Sequence, residues 1–336
     1  REQMLQWMES IGRSLADVYG HWPRQHWKAS INSTSGTSDD PIPWAQVNRG
    51  DVDEVQFFVV SSTPAAALVR EWTGYHELAH LLIPYRGWGD TWFSEGLASY
   101  YQNLLQARAG VITEQQMWQK LYDGFMRGRA DVRFDGQSLS SVSARLRSNG
   151  GFMRVYWSGA WYFLAADVAL RQASDGANSL DLALERLTTC CAEQAMSVPE
   201  MVARLDTLNE VDLFSRLYEE ARRSTRVPNF ESLFAQLQIK FEDETVSLGP
   251  ATPGATLRRG TGVNLTNVIF TDFQNCLDID SDATFAAAGT PPDALTGNLT
   301  IQNSVVNCAT NFVEEDGDPW TVQSWFEADG TNQELD

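Results

Sequence analysis

Histidine is scarce in this chain of 336 residues: four in all, His21, His26, His76 and His80, with none beyond residue 80. Cysteine is equally rare at four residues, too few for a fold held together by disulfides. Lysine and arginine stop at Arg259, so residues 260–336 carry no positive side chain against 13 Asp and Glu. The net charge of −19 excludes nucleic acid as a partner, because phosphate binding needs clusters of Lys and Arg. Apolar runs of about 18 residues are also missing, so no membrane span is expected within this sequence. The first residue is Arg1 rather than methionine, which is expected if a leading signal or anchor segment has been removed or left out.

What is present points to a metal. At 43% hydrophobic the chain can bury a sizeable core and is expected to hold two domains. Within it, Trp72-Thr-Gly-Tyr-His76-Glu77-Leu-Ala-His80 places two histidines one helical turn apart on one face, so both imidazoles can reach one ion. Glu77 lies beside the first of them, where it can hold a water rather than the metal. Catalytic zinc takes three protein ligands and keeps a fourth position open. Glu95, in Trp92-Phe-Ser-Glu95-Gly96, supplies the third after a connection containing Pro84, Gly87 and Gly89. Patterns that use a further histidine after the motif are excluded, since none follows His80. The bland alternative is an amphipathic helix whose two histidines are merely solvated or hydrogen-bonded.

The run HELAHLLIPYRGWGDTWFSEGLASYYQNLLQARAGVIT resembles the gluzincin metallopeptidases, in particular the glycyl aminopeptidase-like family. His76, Glu77, His80, Trp92, Glu95, Gly96, Tyr100, Tyr101, Arg108, Ala109 and Gly110 stand in that family's order. Arg154-Val-Tyr156-Trp-Ser-Gly159-Ala looks like its tyrosine segment. The resemblance spans roughly residues 1–259 and is strongest over 72–175. It implies an α+β fold: a mainly helical, thermolysin-like catalytic domain with a short β-sheet. It also implies Zn2+ held by His76, His80 and Glu95, with peptide or protein substrates. Hydrolysis would use a metal-activated water, Glu77 as general base and Tyr156 as transition-state donor. The chain departs from the pattern in three ways. The His80-to-Glu95 interval is short, no G-x-M-E-N-like strand precedes the motif, and neither a large β domain before it nor a PDZ-like module after it is evident.

The chemistry explains these residue types. A carboxylate beside the metal can take a proton from the attacking water and pass it to the leaving amine. A phenol can donate to the developing oxyanion without burying a charge. Tyr156 also fits a rim or core tyrosine in the aromatic patch Phe152 to Phe163, and Arg154 fits either an oxyanion partner or a solvated cation. Ser99, four residues after Glu95, is a candidate to orient a ligand histidine, whereas Asp90 and Glu71 read as surface or capping residues. Asp51, Asp53 and Glu54 are candidates to hold a substrate amine, so aminopeptidase and endopeptidase action both stay open.

Periodicity predicts a helix over 1–20 and a buried strand over Val55–Ser61, whose edge a substrate could extend. It predicts a metal-binding helix opened by Pro64 and closed by Pro84, then helices near 91–109, 113–127, 153–174, 179–190, 198–206 and 209–223. Residues 128–151 read as a lid or an ordinary surface loop. Residues 1–240 form the expected catalytic domain, 241–260 a linker, and 261–336 an acidic β-rich tail. In that tail Leu265–Phe270 and Ile301–Val306 align at a spacing of 36, setting Asn267 over Asn303, as in coils of a parallel β-helix. Two visible rungs are few, so the tail would dock on the catalytic domain, form part of an incomplete module, or be a small β domain of another kind. Cys276 and Cys308 can bridge in an oxidising compartment, while the adjacent Cys190 and Cys191 read as two buried thiols. Asp278-x-Asp280-x-Asp282 lacks the glycine and glutamate of an EF-hand and reads as a solvated acidic turn. The function expected is a zinc peptidase acting outside the cytoplasm, periplasmic, secreted or surface-anchored. The alternative is a surface binding or adhesion protein with a vestigial peptidase-like domain.

Overall fold

The computed structural model describes residues 2–335 except 38, 51, 88, 175, 193, 195, 249–254, 258–261, 272–274, 280–281, 290–296, 309 and 315–316. Asp51, Asp280 and the Gly/Pro cluster at 249–254 therefore lie outside the described residues. The chain divides into two compact units, Arg1–Ser247 and Leu248–Asp336.

The first unit opens with α1 (Glu2–Tyr19), whose Trp7, Ile11 and Leu15 recur at helical spacing and are fully buried. Three strands follow: β1 (Trp27–Thr34), β2 (Trp44–Asn48) and β3 (Asp53–Val60). Their order is β1-β3-β2, with β1 parallel and β2 antiparallel to β3. The alternating Val55, Phe57 and Val59 of β3 face the core, and Trp7 meets Phe57 edge-on at 5.0 Å. β3 is thus central. Both of its edges are already paired, so it cannot take a substrate as an added strand, and the expectation that it would is corrected.

The single helix expected between Pro64 and Pro84 is instead two, α2 (Ala65–Arg70) and α3 (Trp72–Ala79), followed by a 3-10 turn at His80–Leu82. The break is at Glu71. Its backbone is extended (ψ 133) and its carboxylate accepts from the Thr73 N–H, capping α3. Gly74 lets α3 lie against α1, since a Cβ there would stand 3.1 Å from Trp7 and Ile11.

The rest of the first unit is helical: α4 (Thr91–Arg108), α5 (Glu114–Ala130), α6 (Leu139–Ser143), α7 (Leu146–Asn149), α8 (Phe152–Ala173), α9 (Leu180–Cys191), α10 (Val198–Asn209), α11 (Phe214–Arg223) and α12 (Glu231–Gln236). Thr113 and Gln116 close a reciprocal capping box at the start of α5. Residues 128–151 are neither an open loop nor a free lid. They contain a 3-10 turn at Val132–Phe134 together with α6 and α7, and are pinned by buried Leu139, Val142 and Leu146. A hairpin, β4 (Lys240–Glu242) with β5 (Thr245–Ser247), ends the unit. Gln119 of α5 receives the Val246 N–H at 2.8 Å and donates to Glu244 at 2.9 Å, so residues 240–247 are held on the helices rather than acting as linker.

The second unit is built from short parallel pairings. β7 (Asn264–Thr266) pairs with β10 (Thr300–Gln302), and β8 (Ile269–Thr271) with β11 (Val305–Asn307), which also pairs with β13 (Gln333–Glu334). β6 (Ala255–Leu257) and β12 (Thr310–Val313) flank β9 (Asn275–Ile279). The offset between β7 and β10, and between β8 and β11, is 36 residues. Asn267 and Asn303 occupy equivalent left-handed turns, with φ of 59° and 49°. With α13 (Asp282–Ala288) and α14 (Val322–Glu327), these strands bury Leu299, Ile301, Val306, Trp325 and Phe326. Cys276 and Cys308 are disulfide-bonded, their Cα atoms 5.6 Å apart. Cys190 and Cys191 are bonded as well, contrary to the reading of two thiols. Among the described residues no helix is long and apolar enough to cross a membrane.

Candidate metal centre

α3 and α4 bring the site together. His76 lies in the last turn of α3, and His80 keeps helical backbone angles where α3 gives way to the 3-10 turn, so their rings stay one turn apart with centroids at 5.0 Å. Glu95, in the first turn and a half of α4, faces them: its Oε2 is 3.4 Å from His76 Nε2 and 3.7 Å from His80 Nε2. The three donor atoms lie within 4.8 Å of one another.

Their chemistry fits a divalent ion. The amide oxygen of Gln102 accepts from His76 Nδ1 at 2.8 Å, which puts the proton there and leaves the Nε2 lone pair facing Glu95. Ser94 Oγ is 2.9 Å from His80 Nδ1 and fixes that ring likewise. Burial opposes a charge on His76, but Glu95 and Glu77 outweigh it and raise the imidazole, so the space between His76 and Glu95 favours positive charge, which a bound cation would supply. Ligand atoms about 2.0–2.2 Å from a tetrahedral zinc stand roughly 3.3–3.6 Å apart, close to the separations seen. Burial drives His80 down to about 3 despite Glu95, so this imidazole is neutral and able to ligate. Burial raises Glu95, but the positive charge favoured opposite it outweighs burial and holds the carboxylate ionised, at about 2.

Glu77 is buried beside this group, and burial pushes its carboxyl up to about 7, opposed by His76 and reinforced by Glu95. Tyr156, half-buried on the first turns of α8, stacks on His76 with centroids at 5.9 Å and lies near Glu95. Burial and the Glu95 charge raise its phenol, which therefore stays protonated. The placement depends on a close crossing of α4 and α8. A Cβ on Gly96 would lie 2.3 Å from the Gly159 backbone, and one on Gly159 would lie 2.1 Å from the Trp92 carbonyl.

Other candidates fall elsewhere. Ser99 is buried but orients neither histidine; Ser94 and Gln102 do, and Gln102 stands seven residues after Glu95 on the same helical face. Arg154 is not a substrate group. It is buried and donates to Ser158 Oγ and to the carbonyls of Thr225 and Ser224 at 3.2, 3.1 and 2.9 Å, tying α8 to the end of α11. Asp90 accepts from Trp92 Nε1 and Tyr218 Oη, and Glu71 caps α3. Asp53 is buried against Arg49, Arg24 and Arg86 at 3.0, 3.7 and 3.9 Å, and Glu54 is engaged by Ser30 and Lys28. Neither is placed to receive a substrate amine. Arg49, which in the sequence reads only as part of a chance Arg-Gly-Asp tripeptide, reaches besides Asp53 the His80 carbonyl at 2.8 Å, linking the end of β2 to the helix that carries His80. A cavity of about 280 Å³ opens beside Glu95, walled by α6, α7 and Phe152.

Residues 88–162 match the family model of the M61 glycyl aminopeptidases, a span that includes Glu95 and Tyr156 but stops short of His76 and His80. Over that span the chain is similar to the gluzincin aminopeptidases. Its fold is similar to that of an aminopeptidase N family protein from Idiomarina loihiensis, with 14% identity over 71% of this chain and a TM-score of 0.54. An M1 zinc metallopeptidase from Deinococcus radiodurans aligns over 66% of this chain at 16% identity and a TM-score of 0.45. The alignment covers 45% of each of those two chains. No curated protein matches this chain.

Proposed function

We propose that the first unit is a zinc-dependent peptidase of aminopeptidase-like type. The observation that carries this reading is the convergence of His76, His80 and Glu95 donor atoms within 4.8 Å, with a buried carboxyl, Glu77, alongside. His76, His80 and Glu95 would hold the ion, which when bound supplies Lewis acidity to polarise the scissile carbonyl and acidify water. Glu77, buried alongside, would take the proton of the attacking water and return it to the departing amine. Tyr156, kept protonated, donates to the oxyanion of the tetrahedral intermediate. The peptide class is supported by the M61 match.

The second unit is proposed as a short parallel β-helix, on the strength of its two strand pairs offset by 36 residues. A location outside the cytoplasm is supported by the bonded pair Cys276–Cys308.

Glu77→Gln tests the central reading. The variant is expected to keep its zinc while hydrolysis of free-amino peptides falls about 10²–10⁴-fold, and a chelator is expected to silence the wild type. Full zinc occupancy in the wild type with no cleavage across a mixed peptide library would reject it.

A further inference from the structure

The cavity beside Glu95 has an electrostatic character opposite to that of the chain. Against a net charge of −19, the residues lining it include two arginines, Arg145 and Arg147, and one carboxylate, Glu95, which is already turned toward His76 and His80. The two arginines differ. Arg145 is spent on its own wall, donating to the Ser141 carbonyl and hydroxyl and to Gln137 at 2.8–3.2 Å. Arg147 is exposed and is free of hydrogen bonds and ion pairs among the described residues.

Its position is nonetheless fixed. α7 carries it as a four-residue wedge anchored by buried Leu146 and ended by Gly150 and Gly151, with φ of 78° and 94°. Just before it, Ser143 Oγ accepts from the Trp92 N–H at 3.0 Å, tying this wall to the turn of α4 that presents Glu95. The backbone that carries this uncommitted arginine is therefore held at a set place on the wall of the cavity that reaches Glu95. Phe152, 45% exposed, supplies an apolar wall to the same cavity.

We propose that Arg147 is a specificity-determining residue that pairs with a carboxylate of the substrate, so that the site prefers acidic peptides. The inference rests on the peptidase reading and names its substrate class. A guanidinium presents two parallel N–H donors to a carboxylate, whereas a neutral amide or an aliphatic side chain leaves them unused. The carboxylate can come from an Asp or Glu side chain or from the peptide's own C-terminus.

Three matched peptides separate these sources: one neutral and amidated, one with a free C-terminus, and one amidated but bearing Glu. With the zinc-loaded full chain, at least one carboxylate-bearing peptide is expected to show kcat/KM about two- to fivefold above the neutral one, the scale of a single exposed ion pair. Whichever peptide gains identifies the source. In Arg147→Ala that ratio falls to about one, and in Arg147→Lys part of it returns. Equal kcat/KM for all three peptides in the wild type, or a preference that survives Arg147→Ala, overturns the proposal. Calorimetric binding of the same peptides to the Glu77→Gln chain, with and without Arg147→Ala, gives the same ratio without turnover. A loss of all cleavage would then sink the peptidase reading, while the binding ratio still decides the role of Arg147.

Discussion

The two nitrogens of His76 have different duties: Nε2 faces the carboxylate of Glu95, and Nδ1 is held by Gln102. That division makes Gln102 the residue to test. Gln102→Leu removes the acceptor while nearly conserving volume, so His76 is free to turn and to carry its proton on the wrong nitrogen. Zinc affinity is expected to drop about 10–100-fold with the fold intact, read by competition with a coloured chelator alongside circular dichroism; unchanged affinity would show that packing alone aims the ring. At this scale the sequence was partly legible. His76 and His80 are tied by helical periodicity, a property of one chain segment, and Glu95 by the second motif, and the structure brings their donors together. The orienting residues are not so tied, because which side chain meets an imidazole depends on how α4 lies across α3. Ser99 was the natural guess at one turn from Glu95, yet the partner is two turns on. Arg154 illustrates the opposite failure: beside Tyr156 in sequence, its side chain is consumed by Ser224 and Thr225 carbonyls that no local pattern announces.

Between elements, the contact of greatest consequence has no side chains in it. Gly96 and Gly159 meet backbone to backbone, and the residues beside them, Glu95 and Tyr156, take their separation from that contact. Alanine is the better helix former by about 1 kcal/mol, so propensity alone favours Gly96→Ala. The added Cβ would sit 2.3 Å from the Gly159 backbone, and sterics should win. A net loss of about 1–3 kcal/mol is expected, seen as a lower urea midpoint together with weaker zinc binding; a rise in the midpoint would show that the helices can part. Capping signals made several helix limits readable, as at Thr113 and Gln116. The break at Glu71 was not readable, since no proline or glycine marks it and the carboxylate caps from within a helical pattern. Nor could the apolar run of β3 reveal that both neighbours were already present.

For the molecule as a whole, the loss of basic residues after Arg259 and the structural division after Ser247 lie close together, but they report different things. The first is a change in surface charge; the second is where packing ends, and the β4–β5 hairpin still belongs to the helices. The bridge Cys276–Cys308 closes a loop across a sequence separation of 32. Restricting an unfolded loop of that size is worth about 3–4 kcal/mol. Replacing both cysteines with alanine is expected to lower the calorimetric transition of the second unit and leave the hydrolysis proposed for the first unaltered. A single shared transition that moves with the bridge would contradict that separation. Elsewhere, the knot of Arg24, Arg49 and Arg86 about Asp53 carries a constraint of its own. Among the described residues these three guanidiniums gather about one carboxylate, so replacing Asp53 alone would leave buried positive charge without its counterion. That corner, where the sheet meets the helix that carries His80, hinges on one carboxylate, which makes Asp53 a poor place for gradual drift and the guanidinium of Arg49 a firm footing for the histidine above it.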